Sequence, residues 1–180
     1  LYLCNKNLEK MDANNNDGKA KDNLLLEVCM AAKYEGNSIK TPYIIHKQTN
    51  EGSQLCTVLA RGFADIGDII RGKDLFRGND EEKKQRKQLD DKLKVIFAKI
   101  YEELDSKAQT RYKGDTDNYY ELREYWWALN REDVWKALTC EAYGTYFRHT
   151  CSTGTGTQGR CRCKGDQVPT YFDYVPQYLR

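Results

Sequence analysis

Several residue sets in this chain have types and spacings that could do chemistry. Gly154-Thr155-Gly156-Thr157-Gln158-Gly159 spells the G-x-G-x-x-G of a dinucleotide-binding turn. That turn works only between a strand and a helix, whose N-terminus meets the pyrophosphate. Here the flanks are Cys151 and Cys161, within a serine, threonine and glycine stretch, so a disulfide-held loop is expected instead. Asp12, Asn14 and Asn16 resemble the first ligands of a calcium loop. Gly18 falls one position late, however, and Asn23 stands where a bidentate glutamate is needed. His149, Cys151, Cys161 and Cys163 have zinc-ligand chemistry, but Cys161-x-Cys163 is tighter than the usual paired zinc cysteines. Both histidines, His46 and His149, fall in loop sequence, and no carboxylates pair at helical spacing in an apolar setting. Neither cysteine–histidine nor acid–base catalysis is therefore expected, and no metal or cofactor.

The strongest local signal is basic. Lys83, Lys84, Arg86 and Lys87 are followed by Lys92, Lys94 and Lys99, giving seven basic and four acidic residues, or +3, between positions 81 and 100. Lys84, Lys87 and Lys94 share one helical line, with Asp91 interrupting it. Such a cluster can hold sulfated or phosphorylated polyanions through charge-assisted contacts. On charge and periodicity alone, a solvated helix face is the favoured reading. The whole chain carries 29 basic and 27 acidic residues, a net +2, which implies no bulk affinity for nucleic acid.

The elements that must position these residues read as helices. The chain has 180 residues, 39% hydrophobic and 31% charged, which suits one packed domain or a large piece of one. Residues 12–22 read as a mobile loop. Asp22-Asn23 then opens an apolar run through Leu24, Val28 and Ala32, a buried helix, and residues 35–54 read as a second loop. Leu55, Val58, Leu59, Phe63, Ile66 and Ile70 space as an amphipathic helix, with Arg61, Asp65 and Asp68 on its other face and Arg61 able to pair with Asp65. Gly62 and Gly67 each cost that helix about 1 kcal/mol relative to alanine, which points to a close neighbouring backbone. Leu89, Leu93, Ile96, Ile100 and Leu104 make the buried stripe of a helix from about Glu81 to Leu104. Two further helical pieces, Tyr119–Leu129 and Asn130–Cys140, carry Trp126, Trp127 and Trp135 as core anchors, at least two of them packed on the helix Leu55–Ile70, with Asn130 as a cap. No long alternating strand pattern occurs, so the class is all-α: a disulfide-stapled helical bundle with long loops. No apolar stretch is long enough to span a bilayer, and the start shows no targeting signal.

Three stretches carry a resemblance: Leu59 to Asp74 (LARGFADIGDIIRGKD), Tyr119 to Trp127 (YYELREYWW) with Val134 to Cys140 (VWKALTC), and Asp173 to Arg180 (DYVPQYLR). In this order they resemble the Duffy-binding-like domain of the malaria parasite's variant surface antigens, in particular the alpha class from erythrocyte membrane protein 1. Gly62 departs from a common serine and Tyr125 from a common aspartate. The resemblance implies that residues 1–9 end a first subdomain, residues 10–172 form the helical second subdomain with a cysteine-rich late loop, and residues 173–180 begin a third. It implies adhesion at the extracellular face of the infected erythrocyte. The expected partners are host receptors such as heparan sulfate-like glycans, complement receptor 1 or blood-group sugars, together with neighbouring domains of the same antigen, whose membrane anchor would lie outside this chain. No nucleic-acid partner and no catalysis are expected.

Seven cysteines leave an odd thiol, and so many in a chain with two histidines favour extracellular disulfides. By the same resemblance, Cys4 belongs to the first subdomain and pairs upstream. Cys29, Cys56, Cys140, Cys151, Cys161 and Cys163 remain for up to three bonds. Cys56 is expected to reach Cys161 or Cys163, and Cys29 to pair with Cys140, because both lie on expected core helices.

Overall fold

A computed structural model describes residues 6–13, 17–47, 55–75, 78–115, 117–144, 146, 149–151 and 154–180, with only the course of the helix given at 41–47. Asn14 and Asn16 of the calcium-like run, Cys4, and the side chain of His46 lie outside what is described. Among the described residues six helices follow one another: α1 Lys6–Lys10, α2 Ala20–Lys47, α3 Leu55–Arg71, α4 Asp80–Glu102, α5 Ser106–Arg111 and α6 Tyr120–Leu138. Two single 3-10 turns, Phe172–Tyr174 and Gln177–Leu179, close the chain. Among the described residues, β pairing is confined to isolated bridges, Gly144 with Arg160 and Gln158 with Arg162, so the class is all-α.

α3 is the centre. Its stripe of Leu59, Phe63, Ile66 and Ile70 is buried, but so are Gly62, Gly67, Asp68 and Arg71, because α2, α6 and the first 3-10 turn wrap its other sides. Asp68 therefore does not belong to a polar outer face, and Asp65 turns to Arg180 (3.5 Å) instead of Arg61. α2 runs antiparallel to α3 and parallel to α6: Glu35 and Ile39 lie over Gly62, Gly36 lies on Leu138, and Lys40 pairs with Glu141 at 3.2 Å. All three tryptophans are buried. Trp127 and Trp135 each pack on Phe63 with ring centroids 5.1 Å apart, and Trp126 meets Phe97 of α4 edge-on at 6.2 Å. Such edge and tilted contacts add to the area that large rings bury.

Three expected boundaries move, each for a tertiary reason. The loop expected at 35–54 is helix as far as Lys47, because Gly36 sits where α2 and α6 touch most closely. A Cβ there would stand 2.1 Å from the Leu138 carbonyl oxygen, so the glycine marks an approach of helices and not a break. α2 also begins earlier than Asn23: the Ala20 N–H donates to the Glu103 carboxylate at 3.1 Å, and Asp17 accepts from the Lys19 N–H at 3.0 Å. The two helical pieces after Tyr119 are one helix. Asn130 is buried within it, its side chain donating to the Trp126 carbonyl at 2.7 Å, so it caps nothing.

Cys56 is bonded to Cys161, tying α3 to the late loop, and Cys151 is bonded to Cys163. Cys29 and Cys140 are free, contrary to the expected pair. The parallel run of α2 and α6 explains it. Cys29 lies near Asp133, whereas Cys140 lies beside the Lys40–Glu141 pair. From Cys29 to Lys40 is three turns of helix, about 16 Å, far beyond the roughly 7 Å that a disulfide tolerates between Cα atoms. Burial, with the charge of Asp133 adding to it, pushes the Cys29 thiol up to about 11.

Candidate functional site

The basic edge of α4 starts from a well-made helix end. Asn79 accepts from the Glu82 N–H at 2.9 Å and Glu82 accepts in return from the Asn79 N–H at 3.0 Å, a capping box that starts the helix one residue before Glu81. Asp80, Glu81 and Glu82 fill the first turn, where the helix dipole favours negative charge. Leu89, Leu93, Ile96, Phe97 and Ile100 face the core. The 3.6-residue repeat then sends the basic residues outward or to the flanks.

The structure divides the six expected binding residues. Lys83, Lys84 and Lys87 are exposed within the first two turns, with Lys83 leaning on Asp80 at 3.3 Å. Among the described residues, Lys84 and Lys87 have no acidic partner. Arg86 is half-buried and turned to Asp74 at 3.5 Å, and Asp74 in turn accepts from Gln177 at 3.4 Å. Lys92 is half-buried and donates to the Glu9 carbonyl of α1. Lys94 bridges Asp90 (3.1 Å) and Asp91 (3.6 Å), and its hydrogen bond to Asp90 raises its pKa above the ordinary lysine value. Half of the cluster is therefore engaged internally, Arg86 and Lys92 with neighbouring elements and Lys94 with carboxylates of α4 itself. The other half forms a short cationic edge at residues 83–87.

Sequence periodicity missed a second charged assembly, which holds residues 170–180 on α3 and α6. Asp173 is fully buried. Arg131 clasps it with Nε (2.9 Å) and Nη2 (2.7 Å), the Trp127 indole N–H donates to it at 2.9 Å, and Arg71 donates to its backbone carbonyl. Arg71 also pairs with Asp68 at 3.0 Å, and Arg180 closes on the same carboxylate. Burial pushes Asp68 up to about 6, although Arg180 and Arg71 both pull it down. Arg131 lies against the rings of Tyr171 (5.1 Å) and Tyr174 (5.4 Å), which remain substantially exposed. No spacing signals this assembly, because a pair three residues apart such as Asp68 with Arg71 is just as common on a solvated helix face, as Lys83 with Asp80 shows.

Among its described residues, the cysteine-rich loop brings together no catalytic constellation. Gly154 and Gly156 of the G-x-G-x-x-G run are exposed between the two disulfide-bonded cysteines, with no helix after them. Cys151, Cys161 and Cys163 are all in disulfides, which withdraws them from any zinc set with His149.

Residues 1–180 match the family described as Duffy binding domain. The N-terminal NTS-DBL1-alpha and CIDR-gamma double domain of PfEMP1 from the Plasmodium falciparum varO strain is similar over 99% of this chain, at 41% identity and a TM-score of 0.78. The ICAM-1-binding DBLbeta domain of PfEMP1 IT4var13 is similar over 99% at 34% identity and a TM-score of 0.73. Another PfEMP1 DBLb domain, solved bound to human ICAM-1, matches at 28% identity and a TM-score of 0.69 over 98% of this chain and 36% of its own. The chain spans 25% of the first of these structures and 39% of the second. No match is found among curated proteins.

Proposed function

The chain belongs to the Duffy binding domain family, and from that premise we propose that it is part of a cell-adhesion module of a parasite surface antigen, working by binding and not by catalysis. The observation that supports adhesion is the likeness to PfEMP1 domains, two of which are described as binding ICAM-1. The higher identity to a DBL1-alpha structure than to the two DBLbeta structures favours the alpha class. The site is the cationic edge Lys83, Lys84 and Lys87 at the start of α4, and its ligand class is a sulfated glycan of the host red-cell surface. Protein receptors such as complement receptor 1, or blood-group sugars, are the alternatives. The module would act at the extracellular face of the infected erythrocyte; no described helix is long and apolar enough to cross a membrane.

A second reading has its own support. Arg86, Lys92 and Lys94 are engaged internally, which suits a structural module whose receptor contacts lie elsewhere. Residues 173–180, which the resemblance gives to a third subdomain, are seated on α6 through Asp173 and on α3 through Arg180, which supports a packing role for this part of the chain.

The test replaces Lys83, Lys84 and Lys87 with glutamine in the complete oxidised domain and measures heparin affinity against salt. Exposed cations act additively and are screened by salt, so affinity and its salt slope should both fall. The pair Lys92→Gln and Lys94→Gln should leave the slope unchanged. Equal affinity in all three proteins would assign receptor binding to other surfaces and favour the structural reading.

A further inference from the structure

Covalent connectivity decides which residues tension can reach when a tethered molecule is pulled by its ends. Cys56 sits in the first turn of α3 and Cys161 in the late loop, at a sequence separation of 105 but with Cα atoms 5.4 Å apart. Nearly all of α3, and all of α4, α5 and α6, lie between them. Cys151–Cys163 closes a smaller ring that overlaps this one and leaves residues 164–180 outside both. The covalent route between the two chain ends therefore runs through α1 and α2 to Cys56, crosses the bond to Cys161, and leaves through residues 162–180.

We propose that the Cys56–Cys161 bond is a mechanical bypass: it carries tension across the molecule while the backbone of α4, and with it the cationic edge, stays slack. The bond is well placed for this. Both cysteines are fully buried, and the Trp135 indole donates to the Cys161 carbonyl at 3.1 Å, so the bond is locked into the core and screened from reductant. The outer part of the route has non-covalent anchors that yield before a covalent bond does. On one side these are the Asn7 side-chain bonds to Glu27 and the Lys92 contact with Glu9. On the other they are the clasps on Asp173 and Arg180. Pulling thus peels α1, then α2, and residues 164–180, and only then meets the bridge. The bypass follows from connectivity alone. Its service to adhesion rests on the polyanion reading of α4.

Single-molecule stretching of the oxidised chain, tethered at its first and last residues, tests both parts. A fluorescence pair on exposed Val95 of α4 and Leu129 of α6, both outside the cationic edge, reports whether that region is drawn out. The oxidised chain should stop extending short of its full contour, with the pair still close. Adding reductant after the ends have peeled should release a further 350–380 Å or so, the taut length of the separation of 105 residues, and the pair should part. Full extension of the oxidised chain, or parting of the pair at the same load with and without reductant, would overturn the proposal. Heparin-coated beads add a separate reading. If they fail to bind even the unloaded chain while the extension limit holds, the polyanion assignment fails and the bypass stands.

Discussion

At the scale of single residues, the charges that matter most are inside. Asp173 has no exposure and receives three side-chain donor atoms, two from Arg131 and one from Trp127. An exposed pair such as Lys83–Asp80 contributes little, whereas removing one partner of a buried pair strands the other and costs about 3–5 kcal/mol. Asp173→Asn should therefore destabilise by roughly that amount in urea titrations, because the amide cannot accept from both sides of the Arg131 fork. Asp80→Asn should barely register. Asp68 makes a different prediction. Its carboxyl is raised from 3.8 to about 6, so the folded chain takes up this proton more readily than the unfolded chain does. The contribution from Asp68 is then fully present below the unfolded value and lost as pH rises through about 6. Between pH 4 and 6.5 the wild type should lose stability relative to Asp68→Asn. A parallel pair of stability curves would show that the two arginines cancel the effect of burial. Neither assembly was legible beforehand, because an aspartate at the polar edge of a helical repeat looks the same whether water or Arg180 faces it.

At the scale of elements, glycine makes the sharpest comparison. Composition and spacing alone point to a neighbouring backbone at Gly62 and Gly67 and to a loop at Gly36. The structure reassigns all three. Gly36 is the one with a backbone against it, the Leu138 carbonyl. Gly67 faces the Trp127 ring, with a Cβ only 2.8 Å from it, and Gly62 has ordinary room beside the Glu35 and Ile39 side chains at 3.4–3.5 Å. In a helix interior alanine is favoured by about 1 kcal/mol over glycine. Gly62→Ala should therefore be neutral or raise the melting temperature. Gly67→Ala meets a fully buried indole that cannot swing away, and should lose on the order of 1–3 kcal/mol. Gly36→Ala should lose more, because α2 and α6 must move apart. Thermal unfolding of the three variants ranks them, and a Gly36→Ala protein as stable as wild type would contradict the helix contact. The same contrast shows what was readable. The apolar repeat of α3 and α4 and the burial of the tryptophans follow from side-chain periodicity, which the sequence contains. The length of α2, the unity of α6 and the seat of residues 170–180 depend on what lies opposite, and no spacing within one segment records that.

At the scale of the whole molecule, the two disulfides close rings of very different size, with separations of 105 and 12 residues. If each acts mainly by restricting the unfolded chain, its value grows with the logarithm of the ring: about 4.7 kcal/mol for a ring near 100 residues, and about 3 kcal/mol for one near 15. Packing moves in the same direction. Cys56 and Cys161 have no exposure and sit beside Phe63 and Trp135 in the core, so replacing both with alanine also leaves a small cavity. Cys151 and Cys163 pin a loop whose glycines at 154, 156 and 159 are exposed. Domains of this size are stable by only about 5–15 kcal/mol, so the long bridge accounts for a large share of the margin. Cys56→Ala with Cys161→Ala should accordingly lose about 5 kcal/mol or more and lower the unfolding midpoint steeply. Cys151→Ala with Cys163→Ala should lose about 3 kcal/mol or less and leave the near-ultraviolet signal of the buried tryptophans intact. Denaturant titrations of both double variants, with the slope compared as well as the midpoint, decide it. A larger loss from the short ring than from the long one would mean that loop conformation, not chain entropy, governs how these bonds stabilise the bundle.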